Sequence, residues 1–271
     1  MSRIVRSTFD TETIREQIMN DINEEYDNYL RQDVHYHAQN KERIYRNILL
    51  VGLSKSGKST LGHILEDPRY IPKELTLSSI SDTEIQCTWN IFAEPTLISL
   101  NIVEIPGYMI DENSNLSDIN RTYIELGITE LHLVCFCTSL ITGIDGYAIK
   151  LFTRFIQHFG EEQIRDNLCF IITQCEMKNE EQRQSLRDEF LYDTECATLT
   201  KNQADRIYFS GALNPDDYKS ANDVLFYQFE TVNNYRKKLL QLIQSDIKPI
   251  HLSSTRPPTH LTKSPLSSIS E

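Results

Sequence analysis

The stretch that most constrains this chain is Gly52-Leu53-Ser54-Lys55-Ser56-Gly57-Lys58-Ser59. It follows Ile48-Leu49-Leu50-Val51, an apolar run of buried-strand type, and Thr60 continues it into a helical pattern that stops before Asp67-Pro68. The spacing G-x-x-x-x-G-K-[ST] has a mechanical rationale. Its glycines let the backbone turn tightly and aim successive N–H groups at one point, and the helix that opens there adds the positive end of its dipole. Lys58 is expected to reach the β- and γ-phosphates of a nucleotide, and the Ser59 hydroxyl to ligate the accompanying Mg²⁺. A chance match in a chain of this length is an event of about one in a hundred, and its place between a strand and a helix makes chance rarer still.

A chain that opens this way must supply further strands to bury its first one. Strand-like runs occur at 84–92, 97–104, 131–137, 168–173 and 207–210, and helical patterns at 145–159, 178–196 and 221–245. Strands alternating with helices imply an α/β fold with a doubly wound, mostly parallel sheet. The consecutive runs at 84–92 and 97–104 have no helix between them, so one edge strand is expected to be antiparallel. Ahead of this domain lies a helix over 11–38, with Thr13 and Glu16 as a capping box. Ile14, Ile18, Ile22, Tyr26 and Leu30 recur every four residues, which gives one apolar face. That face docks on its own domain or else serves as a partner or self-association surface. The expected organisation is a helical extension over 1–45, an α/β domain over 46–248 and a disordered tail over 249–271, where four Pro and many Ser and Thr leave no core-forming pattern.

Composition narrows the partners. The net charge of −12 excludes broad contact with a phosphodiester backbone, so nucleic acid is not expected as a partner. The longest apolar region, 126–144, is broken by Glu130 and His132, so no membrane span is expected. The N-terminus lacks a secretory leader pattern, and Ser2 excludes N-myristoylation. The six Cys sit mostly in apolar runs without zinc-site spacing, as buried reduced thiols of a cytoplasmic protein do. His35 and His37 have no further ligands near them in sequence, so they are not read as a metal site.

Three further segments decide what the phosphate loop serves. Glu104-Ile105-Pro106-Gly107 closes a strand. Its carboxylate is expected to hold Mg²⁺ through water, and the Gly107 N–H to meet the γ-phosphate, in the acid-x-x-Gly spacing of GTPases. Thr173-Gln174-Cys175-Glu176 follows an apolar strand. There Gln174 takes the place of a long side chain that stacks on a base, and Glu176 can accept the two hydrogen bonds of a guanine edge. Ser210-Gly211-Ala212 closes the last strand, where a backbone N–H would meet the guanine carbonyl. A hydroxyl from Thr76, Ser78 or Ser79 is expected to complete the Mg²⁺ shell. The residue after Gly107 is Tyr108, which offers no amide or acid to orient a water, so intrinsic hydrolysis is expected to be slow.

With these motifs in place, the sequence resembles the AIG-type (avirulence-induced, immunity-associated) GTPases. The resemblance runs over about 46–245 and is carried by residues 51–60, Ile105-Pro106-Gly107, Thr173-x-x-Glu176 and the stretch Phe155-Ile156-Gln157-His158-Phe159-Gly160-Glu161-Glu162. It implies a GTP-binding α/β domain related to septins and chloroplast import GTPases, with nucleotide-dependent homodimers or polymers. It assigns phosphate contacts to 52–60 and base contacts to Thr173 and Glu176. The chain departs from the family at Glu104, where Asp is usual, at Gln174, where a basic residue or His is usual, and over Ile141-Thr142-Gly143-Ile144-Asp145, which lacks the family's charged pattern. A P-loop kinase or ATPase would leave the Pro-Gly turn and Glu176 without a role. A scaffold with a degraded nucleotide site is the other alternative.

Overall fold

The computed structural model describes residues 10–34, 43–73, 86–93, 96–105, 116–192, 196–199 and 204–252. In chain order its elements are α1 (Thr11–Val34), β1 (Arg43–Val51), α2 (Lys58–Glu66), β2 (Gln86–Ala93), β3 (Thr96–Glu104), α3 (Leu116–Glu125), β4 (Glu130–Leu131), β5 (Leu133–Ser139), α4 (Gly146–Phe159), α5 (Glu161–Ile164), β6 (Leu168–Thr173), α6 (Glu180–Tyr192), β7 (Ile207–Phe209), α7 (Pro215–Lys219), α8 (Val224–Gln244) and β8 (Ile250–His251).

Alternation along β1 divides the core into two layers. Leu49 and Val51 face one side with Val134, Phe136, Phe170 and Ile172, where they meet Phe152 and Phe155 of α4 and Phe190 of α6. Ile48 and Leu50 face the other side with Cys135, Cys169 and Ile171, against Leu61 and Leu65 of α2 and Leu239, Leu240 and Ile243 of α8. Every residue of β5 and β6 is buried, as strands covered on both faces require. Phe136 stacks on Phe152 with ring centroids 4.3 Å apart, which fixes α4 over the sheet.

The sheet has the order β2-β3-β1-β5-β6-β7. β3, β1, β5, β6 and β7 run parallel, and β2 pairs antiparallel with β3 at the edge. This is the doubly wound, mostly parallel α/β architecture with one antiparallel edge strand that the sequence implies. Winding goes from β1 to β3 on one side and to β5 on the other, so the switch point lies at the carboxyl end of β1. A crevice for ligands forms there in open α/β sheets.

The N-terminal helix packs on its own domain. Ile22 and Tyr26 bury against Leu213, Leu225 and Phe229. Arg15 donates from Nε to the Tyr218 carbonyl and from Nη2 to the Lys219 carbonyl, both at 2.9 Å. The Arg69 guanidinium lies 4.6 Å from the Tyr26 ring centroid.

Several boundaries differ from the sequence reading. The first turn of α1 begins at Thr11, with the Glu12 N–H directed at Asp10 Oδ1, so the Thr13–Glu16 box does not cap it. Ile14 stays exposed. β1 starts at Arg43, inside the segment assigned to the extension, because Arg43, Tyr45, Arg46 and Asn47 also pair with β3. The run 131–137 is interrupted at His132, whose ring Nδ1 accepts from the Asn47 N–H at 3.1 Å. α3 and α7 have no counterpart in the sequence reading, and the expected last helix, 221–245, begins at Val224, after Ala221 with φ of 51°. Ile250 and His251 pair with Leu131 and Glu130, so the ordered fold reaches past Pro249. Cys135, Cys137, Cys169, Cys175 and Cys196 are buried thiols. Among the described residues no helix is long and apolar enough to cross a membrane. His35, His37 and the residues beyond Leu252 lie outside the described ones.

Candidate functional site

The carboxyl ends of the parallel strands bring the named segments together. Gly52 follows β1, Glu104 ends β3, Thr173 closes β6 with Gln174 directly after it, and Ser210 follows β7. The loop from Gly52 to Gly57 leads into α2 at Lys58, as its spacing requires. Gly57 has φ of 83°, and a Cβ there would meet Thr173 Oγ1 at 2.7 Å. Lys55 also takes a left-handed φ, 66°, with its side chain exposed; Ser54 is exposed and Leu53 and Thr60 are half-buried.

Lys58 is buried, and its ammonium donates to the carbonyls of Gly52 at 3.0 Å and Leu53 at 2.9 Å. Glu104 Oε1 lies 3.8 Å away. Burial pulls the ammonium below the ordinary lysine range, and the Glu104 carboxylate works against that pull. Ser59 Oγ donates to Glu104 Oε2 at 2.7 Å. The longer side chain of Glu104 thus reaches the hydroxyl directly. A hydroxyl and a carboxylate converging beside a lysine suit a hard, oxygen-seeking cation, so Ser59 and Glu104 fit the Mg²⁺ that accompanies a nucleotide. Ser56 Oγ is buried without a hydrogen-bond partner inside the same loop.

The base side is built from β6 and β7. Cys175 N–H donates to the Ser210 carbonyl, and Ser210 N–H to the Ile172 carbonyl, both at 2.9 Å, so the two turns lie side by side. Gly211 is required there, because a Cβ would meet Glu176 N and Oε2 at 2.7 Å. Burial pushes the Glu176 carboxyl above the ordinary carboxylate range, and the backbone N–H groups of Glu176 and Ala212 oppose that shift.

Thr173, which the resemblance assigns to the base, directs its hydroxyl at the phosphate loop. Its buried hydroxyl lies 3.0 Å from the Ser56 carbonyl and 3.2 Å from the Thr138 carbonyl, tying the phosphate loop to β5 and β6. Gln174 adopts φ of 63°, and the Ser139 hydroxyl donates to its Oε1. Ser139 and Thr138 escaped the sequence reading because they close an ordinary-looking apolar strand; only their contacts mark them. Gly107, Tyr108, Thr76, Ser78 and Ser79 lie outside the described residues.

Fold and loop define the class: a doubly wound α/β domain carrying a P-loop at the switch point of its sheet. In sequence the chain matches no known family and no curated protein. Among solved structures it is similar to Toc33 from Arabidopsis thaliana in complex with GDP and Mg²⁺, at 11% identity and a TM-score of 0.43, covering 88% of this chain and 96% of that one. It is also similar to the G domain of the T. maritima FeoB iron transporter, at 15% identity and a TM-score of 0.34, covering 71% of this chain and 99% of that one. Likeness at this level adds nothing to the fold, which rests on the strand order and the loop.

Proposed function

We propose that the chain binds GTP and GDP with Mg²⁺, as a nucleotide-dependent switch or assembly module of AIG type that hydrolyses GTP slowly and works in the cytoplasm. One observation carries the reading: the Lys58–Ser59–Glu104 cluster and the Glu176 carboxylate beside Gly211 and Ala212 occupy the same edge of one sheet. The first cluster suits phosphates and a divalent cation, and the second offers acceptors next to backbone donors, the pattern of a guanine edge. Tyr108 supports slow turnover, since it offers no group to orient a water, and a homodimer partner is the natural source of one.

The reading is tested by titrating GTP, GDP and ATP with and without Mg²⁺. Guanine preference is expected. A preference for ATP would sink the reading, and absence of binding by any nucleotide would leave a scaffold.

Glu176 gives the site a pH signature. Guanine donates N1–H and its amino group, so only the ionised carboxylate accepts both. Because burial raises the Glu176 pKa, GDP affinity is expected to weaken on acidification at a higher pH than an ordinary glutamate would dictate. Titrations from about pH 8 to about pH 5 check this. Glu176→Ala is expected to remove that pH dependence and to lower GDP affinity by about 10- to 100-fold. Retention of both affinity and pH profile would exclude Glu176 from the base site.

A further inference from the structure

Two turns on the base side are stitched together at Ser139, a residue that the phosphate chemistry does not call for. Its hydroxyl is buried at the carboxyl end of β5 and donates to Gln174 Oε1. The same oxygen faces the N–H groups of Ile141 at 3.1 Å and Thr142 at 3.3 Å. Around it the Gly143 N–H donates to the Ser139 carbonyl at 2.8 Å, and Thr138 Oγ1 to the Gly143 carbonyl at 3.0 Å. The Leu140 N–H donates to the Thr173 carbonyl at 3.1 Å, joining this turn to the one after β6.

Gln174 sits where that junction matters. It is one of three non-glycine residues with positive φ among the described ones, the others being Lys55 and Ala221. A left-handed glutamine is unfavourable on its own, so the surrounding contacts must hold it. Its backbone follows Thr173, whose hydroxyl reaches the phosphate loop, and lies two residues before Glu176. With Oε1 engaged by Ser139, the Gln174 side chain loses rotamer freedom and presents a planar amide.

We propose that Ser139 is a positioning residue for nucleotide binding: it locks the Gln174 amide in place as a preformed flat wall for the purine ring. This rests on the guanine-nucleotide reading of the site. A long side chain that must be immobilised on binding weakens affinity, and a side chain already immobilised does not. Ser139 therefore acts on the base through Gln174 and leaves the phosphates to the loop.

The test compares GDP with inorganic triphosphate, each with Mg²⁺, in titrations against the full chain. Ser139→Ala is expected to weaken GDP about fivefold and to leave triphosphate unchanged. General damage to the site would weaken both ligands, and that outcome overturns the proposal. Gln174→Asn, whose shorter amide tolerates a left-handed backbone but cannot reach Ser139, is expected to show the same selective loss, and it serves if Ser139→Ala fails to fold. The double variant should be no weaker than either single one, since both remove one interaction. Additive losses, or GDP affinity unchanged in Gln174→Asn, would refute the proposal while leaving the guanine reading intact. Wild-type protein that binds triphosphate as tightly as GDP would instead remove that reading, and this inference with it.

Discussion

Lys58→Ala is expected to cut GDP and GTP affinity by at least about a hundredfold while leaving the protein folded. Lys58 donates to the Gly52 and Leu53 carbonyls at 3.0 and 2.9 Å. These are groups of the loop itself, so the ammonium is held at the centre of the cradle. Phosphate oxygens are stronger acceptors than neutral carbonyls and carry the opposite charge. Losing several charge-assisted hydrogen bonds of about 1.5–3 kcal/mol each accounts for the loss in affinity. Stability should change far less. Alanine favours the first turn of α2, and removing a buried cation removes its desolvation cost. Glu104 keeps the Ser59 hydroxyl as a partner. Nucleotide titration beside a thermal melt separates the two effects, and unchanged affinity would discredit the whole site assignment.

Gly52→Ala should do the reverse and strike the fold first. A Cβ at this position would lie 2.4 Å from the Cys137 carbonyl oxygen and 2.6 Å from Ser56 Oγ. The first obstacle is backbone of β5, the strand beside β1, and it cannot swing aside. Either the two strands part or the loop shifts. Overpacking of this kind costs about 3 kcal/mol, which in a domain of this size lowers the melting temperature by roughly 6–12 °C. Gly146→Ala is the control: a Cβ there meets nothing within 4 Å, and the melting temperature should hold. Equal melting temperatures for the two variants would show that β1 and β5 are not held in this approach.

The loop was legible because its chemistry is local. Glycines, a lysine and a serine at fixed spacing after an apolar strand describe their own geometry, and α2 runs over the expected residues from Lys58 to Glu66. β6 was read to the residue for a related reason: all its positions are buried, so the apolar run has the length of the strand. The first half of β1 was not legible. Arg43, Tyr45, Arg46 and Asn47 are polar or exposed, and only pairing with β3 makes them strand. Thr173 shows the corresponding limit at the site. The family resemblance implied a contact with the base, and what the sequence did not show is that its hydroxyl faces the phosphate loop, which depends on how closely that loop approaches β6. That distance is set by Gly57, more than a hundred residues away in the chain. Ser139 carries no sequence signal, because its role depends on a neighbour brought in by sheet register.

The short ribbon of β4 and β8 has a practical consequence. Asn167 Nδ2 donates to the carbonyls of His132 at 2.9 Å and Lys248 at 2.7 Å, and the Leu252 N–H to the Thr129 carbonyl at 2.8 Å. These ties fix Leu252 near the start of β5, at the pole remote from Ser139. The seven residues of β5 span roughly 20 Å. A fluorophore or surface anchor joined at Leu252 is therefore moored a full strand length from the loops that follow β1 and β6, and a titration of the proposed nucleotides can be read from it without a label at those loops.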